Sequence, residues 1–159
     1  MKDIYQILEE LGIEYQKYEH PAVYTVEEAN EYFAGINTGH SKNLFIRNKK
    51  GDKHYLIIIE GLKQVDLIKL TSQLDESRLS LASPERLMKY LELLPGAVSP
   101  FGLINDENKE VNIIVDKDLL KFEKLGFHPN INTATLVIDI SDLKKFLSWT
   151  NNRVVFLDM

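Results

Sequence analysis

Apolar positions along this chain switch repeatedly between helical and strand spacing. Ile4, Ile7, Leu8 and Leu11 share one helical face, so the pattern predicts a helix over 3–11, opened by Asp3 with Gln6 as a capping box and stopped by Gly12. A short strand is expected over 14–18, ending before His20-Pro21. Thr25 and Glu28 form a second capping box ahead of a helix over 26–33, and 37–40 has loop chemistry. Residues 43–47 and 54–60 read as a hairpin around Asn48-Lys49-Lys50-Gly51-Asp52. The second of these strands is almost continuously apolar, which predicts a central strand buried on both faces. A helix over 65–74 and a strand over 79–82 follow. Ser83-Pro84-Glu85 then combines a capping serine, proline in the first turn and an acid near the helix N-terminus, predicting a helix to about residue 93.

Residues 97–103 are irregular. Beyond them lie a strand over 111–115, a short helix over 117–120 behind Asp116, and strands over 122–127 and 133–140. Ser141 is expected to cap a last helix to Trp149, before a closing strand over 153–157. Helices and strands are mixed without strict βαβ alternation. That order favours a mixed or antiparallel sheet with helices packed around it.

Composition narrows the function classes. The chain has 159 residues, 44% of them hydrophobic, which suits one domain spanning 1–159 with an ordinary core. Its 19 Lys and Arg against 24 Asp and Glu leave a net charge of −5, unlike a protein that coats nucleic acid over a broad basic face. No apolar run approaches the ~20 residues of a membrane span, and no signal region follows Met1, so a cytoplasmic protein is expected. Cysteine is absent, which excludes a thiolate nucleophile and a thiolate metal site. His20, His40, His54 and His128 show no metal-ligand spacing, and no phosphate-cradling glycine motif occurs. Neither metal nor cofactor is expected.

Three features carry candidate chemistry. Lys42, Arg47, Lys49, Lys50, Lys53 and His54 concentrate positive charge, as a phosphate patch or as a solvated hairpin tip. Lys42 stands apart, because it precedes the strand and is followed by Asn43, which both donates and accepts hydrogen bonds. The loop from Gly96 through Ser99, Phe101 and Gly102 lets a ligand approach the backbone closely, or serves as a crossover. Ser99 is a pocket or turn residue, since Gly-x-Ser-x-Gly is not written here. His128, held by Pro129, is placed either to meet a ligand or to sit in a surface turn.

Four segments in order resemble one family. They are His20-Pro21-Ala22-Val23-Tyr24-Thr25-Val26-Glu27-Glu28-Ala29, Ser41-Lys42-Asn43-Leu44-Phe45, the stretch from Gly96 to Asp106, and Phe127-His128-Pro129-Asn130 with Asn132-Thr133-Ala134-Thr135. Together they resemble the YbaK/ProX superfamily, free-standing relatives of the editing domain of bacterial prolyl-tRNA synthetase, and within it the alanyl-tRNA(Pro) deacylase branch. The resemblance implies a single α/β (α+β) domain with a mixed, mostly antiparallel, barrel-like sheet surrounded by helices. It implies hydrolysis of the ester that joins a wrong amino acid to a tRNA 3′ end, with the tRNA acceptor end as partner and prolyl-tRNA synthetase as a candidate second one. It makes Lys42 the essential lysine with Asn43 beside it, and His128 the pocket histidine. The loop from Gly96 to Gly102 becomes the wall with backbone donors for an oxyanion. Tyr24 and Thr25 line the opposite wall. Asn130 departs from the leucine that many relatives carry, which bears on pocket size and amino-acid preference. Cysteinyl- or seryl-tRNA deacylation and a non-catalytic tRNA- or synthetase-binding module are the alternatives.

Overall fold

A computed structural model describes residues 3–22 and 38–159; the helix expected over 26–33, with Tyr24 and Thr25, lies outside them. Asp3 caps α1 (Ile4–Glu10), its carboxylate accepting from the Tyr5 amide at 2.9 Å, and Gly12 turns the chain away at φ 70°. Eight strands follow among the described residues: β1 (Gln16–Glu19), β2 (Ser41–Arg47), β3 (His54–Glu60), β4 (Ser80–Leu81), β5 (Val111–Asp116), β6 (Lys124–Phe127), β7 (Ala134–Asp139) and β8 (Val154–Leu157). They form two sheets and do not close into a barrel. One runs β4-β2-β3-β5-β8 and the other β1-β7-β6. Antiparallel pairing predominates, but β3–β5 and β5–β8 are parallel. Parallel neighbours need long crossovers, and α2 (Leu67–Gln73) and α3 (Pro84–Leu91) lie in the one between β3 and β5.

β3 is the central strand its apolar run predicts. Leu56 and Ile58 enter the larger core, whereas Tyr55, Ile57 and Ile59 enter a second core beyond the sheet with Ile46, Leu70 and Ile114. The larger core fills the space between the two sheets, drawing Phe45, Ile113 and Val115 from one and Leu125, Phe127, Leu136 and Ile138 from the other. Burying each such side chain is worth about 1.5–3 kcal/mol. The helices α1 and α4 (Ile140–Thr150) close this layer with Leu8, Leu143 and Phe146.

Three local outcomes differ from the periodicity. The irregular stretch after Gly96 contains a 3-10 helix, Pro100–Asn105, because Ser99 caps it and Pro100 presets its first turn. Asp139, not Ser141, occupies the cap position of α4 and makes no side-chain cap bond. Strand β7 runs straight into that helix, and the Ile140 amide is satisfied by the Glu123 carbonyl at 2.9 Å. In β7 both faces are buried up to Ile138, since the strand is central in its sheet.

The two sheets are stitched where the chain enters β2. Gly39 forms a parallel bridge to Leu125, its amide donating to the Lys124 carbonyl at 2.9 Å. A Cβ at Gly39 would run into the Phe122 ring, so only glycine permits this approach. From that bridge β2 and β6 run in the same direction and stay in contact, which brings the entrance of β2 toward the loop after Phe127. A further tie lies at the end of β3. Asp116 is fully buried and accepts from the Glu60 and Asp118 amides, each at 3.0 Å, and from Lys63 at 2.9 Å. Lys63 also donates to the Met159 carbonyl at 2.9 Å.

Candidate active site

The loop after β6 is built around His128. Its Nδ1 donates to the Ala134 carbonyl at 2.9 Å, which leaves Nε2 as the acceptor of the neutral ring. Burial lowers its pKa below 6.5, with the nearby His20 acting in the same direction and the Ala134 carbonyl opposing them. The His20 ring stands 6.0 Å from the His128 ring and is held at both nitrogens, by the Pro21 carbonyl at 2.8 Å and the Thr135 hydroxyl at 2.9 Å. The turn histidine of the sequence is thus a pinned, mostly uncharged group. His20 and Thr135 were legible only as members of longer motifs; neither has spacing that marks it alone.

Asn130 completes the loop at φ 66°, a left-handed conformation that asparagine tolerates better than most side chains. Its amide nitrogen reaches the Phe101 carbonyl at 3.4 Å, and its Oδ1 is buried without a partner. This hydrogen bond joins the His128 loop to the 3-10 helix.

Strand alternation decides how β2 faces the loop. Asn43 and Ser41 share the face of Phe45, which lies in the same core as Phe101 and Phe127. Lys42 falls with Leu44 and Ile46, which belong to the second core. Lys42 is half-buried and has no ion pair or hydrogen bond among the described residues, whereas Lys17, Lys53, Lys63 and Lys117 all pair with carboxylates. The Oδ1 of Asn43 and the Oγ of Ser41 are buried and unpartnered.

The glycine-flanked loop contributes differently from expectation. Gly96 lies in a turn at φ 89°. Ser99 is fully buried, and its hydroxyl accepts from the Phe101 amide at 3.2 Å, so it is a turn residue. The Gly102 amide, expected to face an oxyanion, donates to the Ser99 carbonyl at 3.1 Å. A Cβ there would stand 2.6 Å from Leu93 Cδ1, so the glycine lets the 3-10 helix pack on the segment after α3. Phe101, expected to line the pocket, is an aromatic core residue edge-on to Phe127 at 5.9 Å and Phe146 at 5.3 Å. A 3-10 turn consumes the amides that a free loop would offer.

The basic cluster is also divided. Lys42 opens β2, and Lys49 and Lys50 lie in the turn beyond its far end, which is about 17 Å from Lys42 at strand rise. His54 leaves the patch altogether. It is buried, stacked at 5.4 Å on Phe45 and 4.0 Å from Tyr90, with Nε2 3.1 Å from Arg86 Nη1. Burial, then the Arg86 charge, lowers its pKa to about 4. The unfolded chain therefore takes up a proton between the ordinary 6.5 and about 4 that the native state refuses. Stability is complete above that window and falls as pH falls through it. His40 and His128 shift in the same direction by burial. In His54→Phe, which keeps a stacked ring, the urea midpoint drops less between about pH 7 and about pH 5 than in the wild type. An equal drop would show that His54 is not a source of the acid sensitivity.

No group of three or more metal-ligating side chains exists among the described residues. None of their helices is long and apolar enough to cross a membrane.

A family model, the aminoacyl-tRNA editing domain, matches residues 20–146. The chain belongs to this family. Members of the editing-domain family resemble it over nearly its whole length. A prolyl-tRNA editing protein ProX of Acetoanaerobium sticklandii is 42% identical over 96% of this chain and 93% of its own. A prolyl-tRNA synthetase associated domain-containing protein 1 of Danio rerio is 31% identical over 98% of this chain and 85% of its own. A multifunctional Ser/Thr-tRNA deacylase ProXp-y of Escherichia coli is 24% identical over 86% of this chain and 81% of its own. The same fold occurs in a solved structure described as a candidate trans-editing enzyme for prolyl tRNA synthetase, with TM-score 0.72 at 23% identity over 100% of this chain and 98% of that one.

Proposed function

We propose that this protein is a trans-editing aminoacyl-tRNA deacylase that hydrolyses Ala-tRNA(Pro). The observation that carries the reading is that the half-buried, unpaired Lys42 and the buried, unpartnered Asn43 oxygen, on opposite faces of β2, both lie at the strand end that runs alongside the His128 loop. Family membership supports the reaction class, and the ProX relative supports proline tRNA as the carrier.

An aminoacyl ester is already activated, so positioning and charge stabilisation suffice without a covalent intermediate. Water adds to the ester carbonyl, the bond to the ribose oxygen breaks, and free amino acid leaves the tRNA. Lys42 polarises the carbonyl or holds the terminal phosphate, which requires its four-carbon stem to bring the ammonium round from the opposite face of β2. With the Gly102 amide engaged, this ammonium carries the oxyanion role that the family resemblance implied for the loop. His128 Nε2 accepts from a terminal ribose hydroxyl, and a neighbouring hydroxyl of the substrate assists the attacking water. Gly96, Ser99, Phe101 and Gly102 position the 3-10 helix that holds Asn130. Tyr24 and Thr25, which lie outside the described residues, remain substrate-binding residues only as the family resemblance implies them. The chemistry belongs where tRNA is charged, in the cytoplasm, and needs no metal or cofactor.

Editing answers a physical limit: one methylene distinguishes substrates by only about 1–3 kcal/mol, so a proline site admits alanine. The test is hydrolysis of Ala-, Cys-, Ser- and Pro-tRNA(Pro) by the purified protein. Alanine is released fastest and proline is spared. Faster release of serine or cysteine would move the specificity to the alternatives, and no release of any would leave a non-catalytic module.

A further inference from the structure

Four buried side-chain polar atoms lack any hydrogen-bond partner among the described residues: Ser41 Oγ, Asn43 Oδ1, Asn130 Oδ1 and Asn152 Oδ1. Asn152 belongs elsewhere, in a network with Asp106 and the Val111 carbonyl. The other three lie on the face of β2 turned toward the larger core and on the His128 loop. Each unsatisfied buried oxygen carries a desolvation penalty that a donor on a ligand would offset. Each such group calls for an explanation, a bound ligand among them.

The missing ligand group can be specified by chemistry. Both asparagines present carboxamide oxygens, which only accept. Asn130 cannot turn its amide nitrogen to the same point, because that nitrogen holds the Phe101 carbonyl. His128 Nε2 is also an acceptor, since its Nδ1 proton is committed to Ala134, but the ribose hydroxyl takes it in the deacylase reading. A site lined by acceptors and lacking a buried carboxylate suits a small group with several N–H donors. Within an aminoacyl ester, that group is the α-amine.

We propose that the Asn43 and Asn130 carboxamide oxygens together receive the free primary α-amine of the esterified amino acid. This rests on the deacylase reading and adds a second filter to pocket size. A primary amine directs N–H groups at both oxygens, whether charged or neutral. An N-acylated amino acid offers one N–H and a bulky acyl group. Proline, whose charged ring amine still carries two N–H groups, is left to pocket size. Asn130, where leucine would offer nothing, is a specificity-determining residue.

The experiment compares kcat/KM for Ala-tRNA(Pro) and N-acetyl-Ala-tRNA(Pro) in the wild type, Asn130→Gly and Asn43→Ala. Glycine keeps the left-handed backbone at position 130 while removing the oxygen. The wild type is expected to favour the free amine at least tenfold. Each variant loses roughly tenfold on the free amine and little on the acetylated ester, so the preference collapses. Circular dichroism and thermal midpoints show that both variants are folded. Equal wild-type rates on the two esters would overturn the inference while leaving the deacylase reading intact. Equal losses on both esters in both variants would also overturn it, since a merely structural role predicts that. Failure to hydrolyse any aminoacyl-tRNA would overturn both.

Discussion

Replacing Lys42 by alanine lowers deacylation of Ala-tRNA(Pro) by about a hundred- to a thousandfold, the usual loss when one group that stabilises a developing oxyanion is removed. The thermal midpoint stays within a few degrees, because the ammonium is half-exposed and holds no partner among the described residues. Lys42→Arg retains charge but not a compact ammonium, so it recovers only part of the rate. Single-turnover kinetics separate two roles. A carbonyl-polarising lysine loses rate at saturating substrate, whereas a phosphate-holding lysine loses mainly affinity. Unchanged turnover in the alanine variant would remove Lys42 from the reaction and require the chemistry to come from the Asn43–His128 side alone.

The largest effect on stability is expected at Asp116. Its carboxylate is fully buried and satisfies two backbone amides and the Lys63 ammonium. Asp116→Ala leaves the Glu60 and Asp118 amides without an acceptor at the end of the central strand, while Lys63 keeps Asp118 and the Met159 carbonyl. Leaving a buried amide unsatisfied costs about 1–3 kcal/mol, so the two together are a large share of the stability of an ordinary domain. Urea denaturation reads this as a lower midpoint at unchanged slope. Asp116→Asn keeps acceptance from one amide and is expected to fall between. A midpoint shift in Asp116→Ala no larger than that of a surface substitution would show that the network does not hold the strand end.

Much of the frame was legible because its causes are local. The apolar run of β3, the Ser83-Pro84 helix start and the Asp116 cap of the short helix each rest on neighbours in the chain. Ser83 accepts from the Arg86 amide as such a start requires. The cap of α4 was misplaced by two residues because β7 enters the helix without a turn, and a carbonyl remote in sequence satisfies its first amide.

The chemistry was legible as segments but not as geometry. Lys42, Asn43, His128 and the glycine-flanked loop were marked by type and order. Their facing was not, because alternation within β2 separates Lys42 from Asn43 and a 3-10 turn takes up the Gly102 amide. His54 resembled its basic neighbours in the chain, yet lies stacked between Phe45 and Tyr90.

By itself the sequence determined the elements and the residues that carry charge and hydrogen-bonding capacity, since these follow from composition and short-range spacing, while four motifs in order carried the family resemblance. Only tertiary structure decided which sheet each strand joins, which histidine is a neutral core ring and which buried oxygens await a donor. Those properties depend on desolvation and on partners brought together across the chain, as Gly39 is with Leu125 and Asn130 with Phe101.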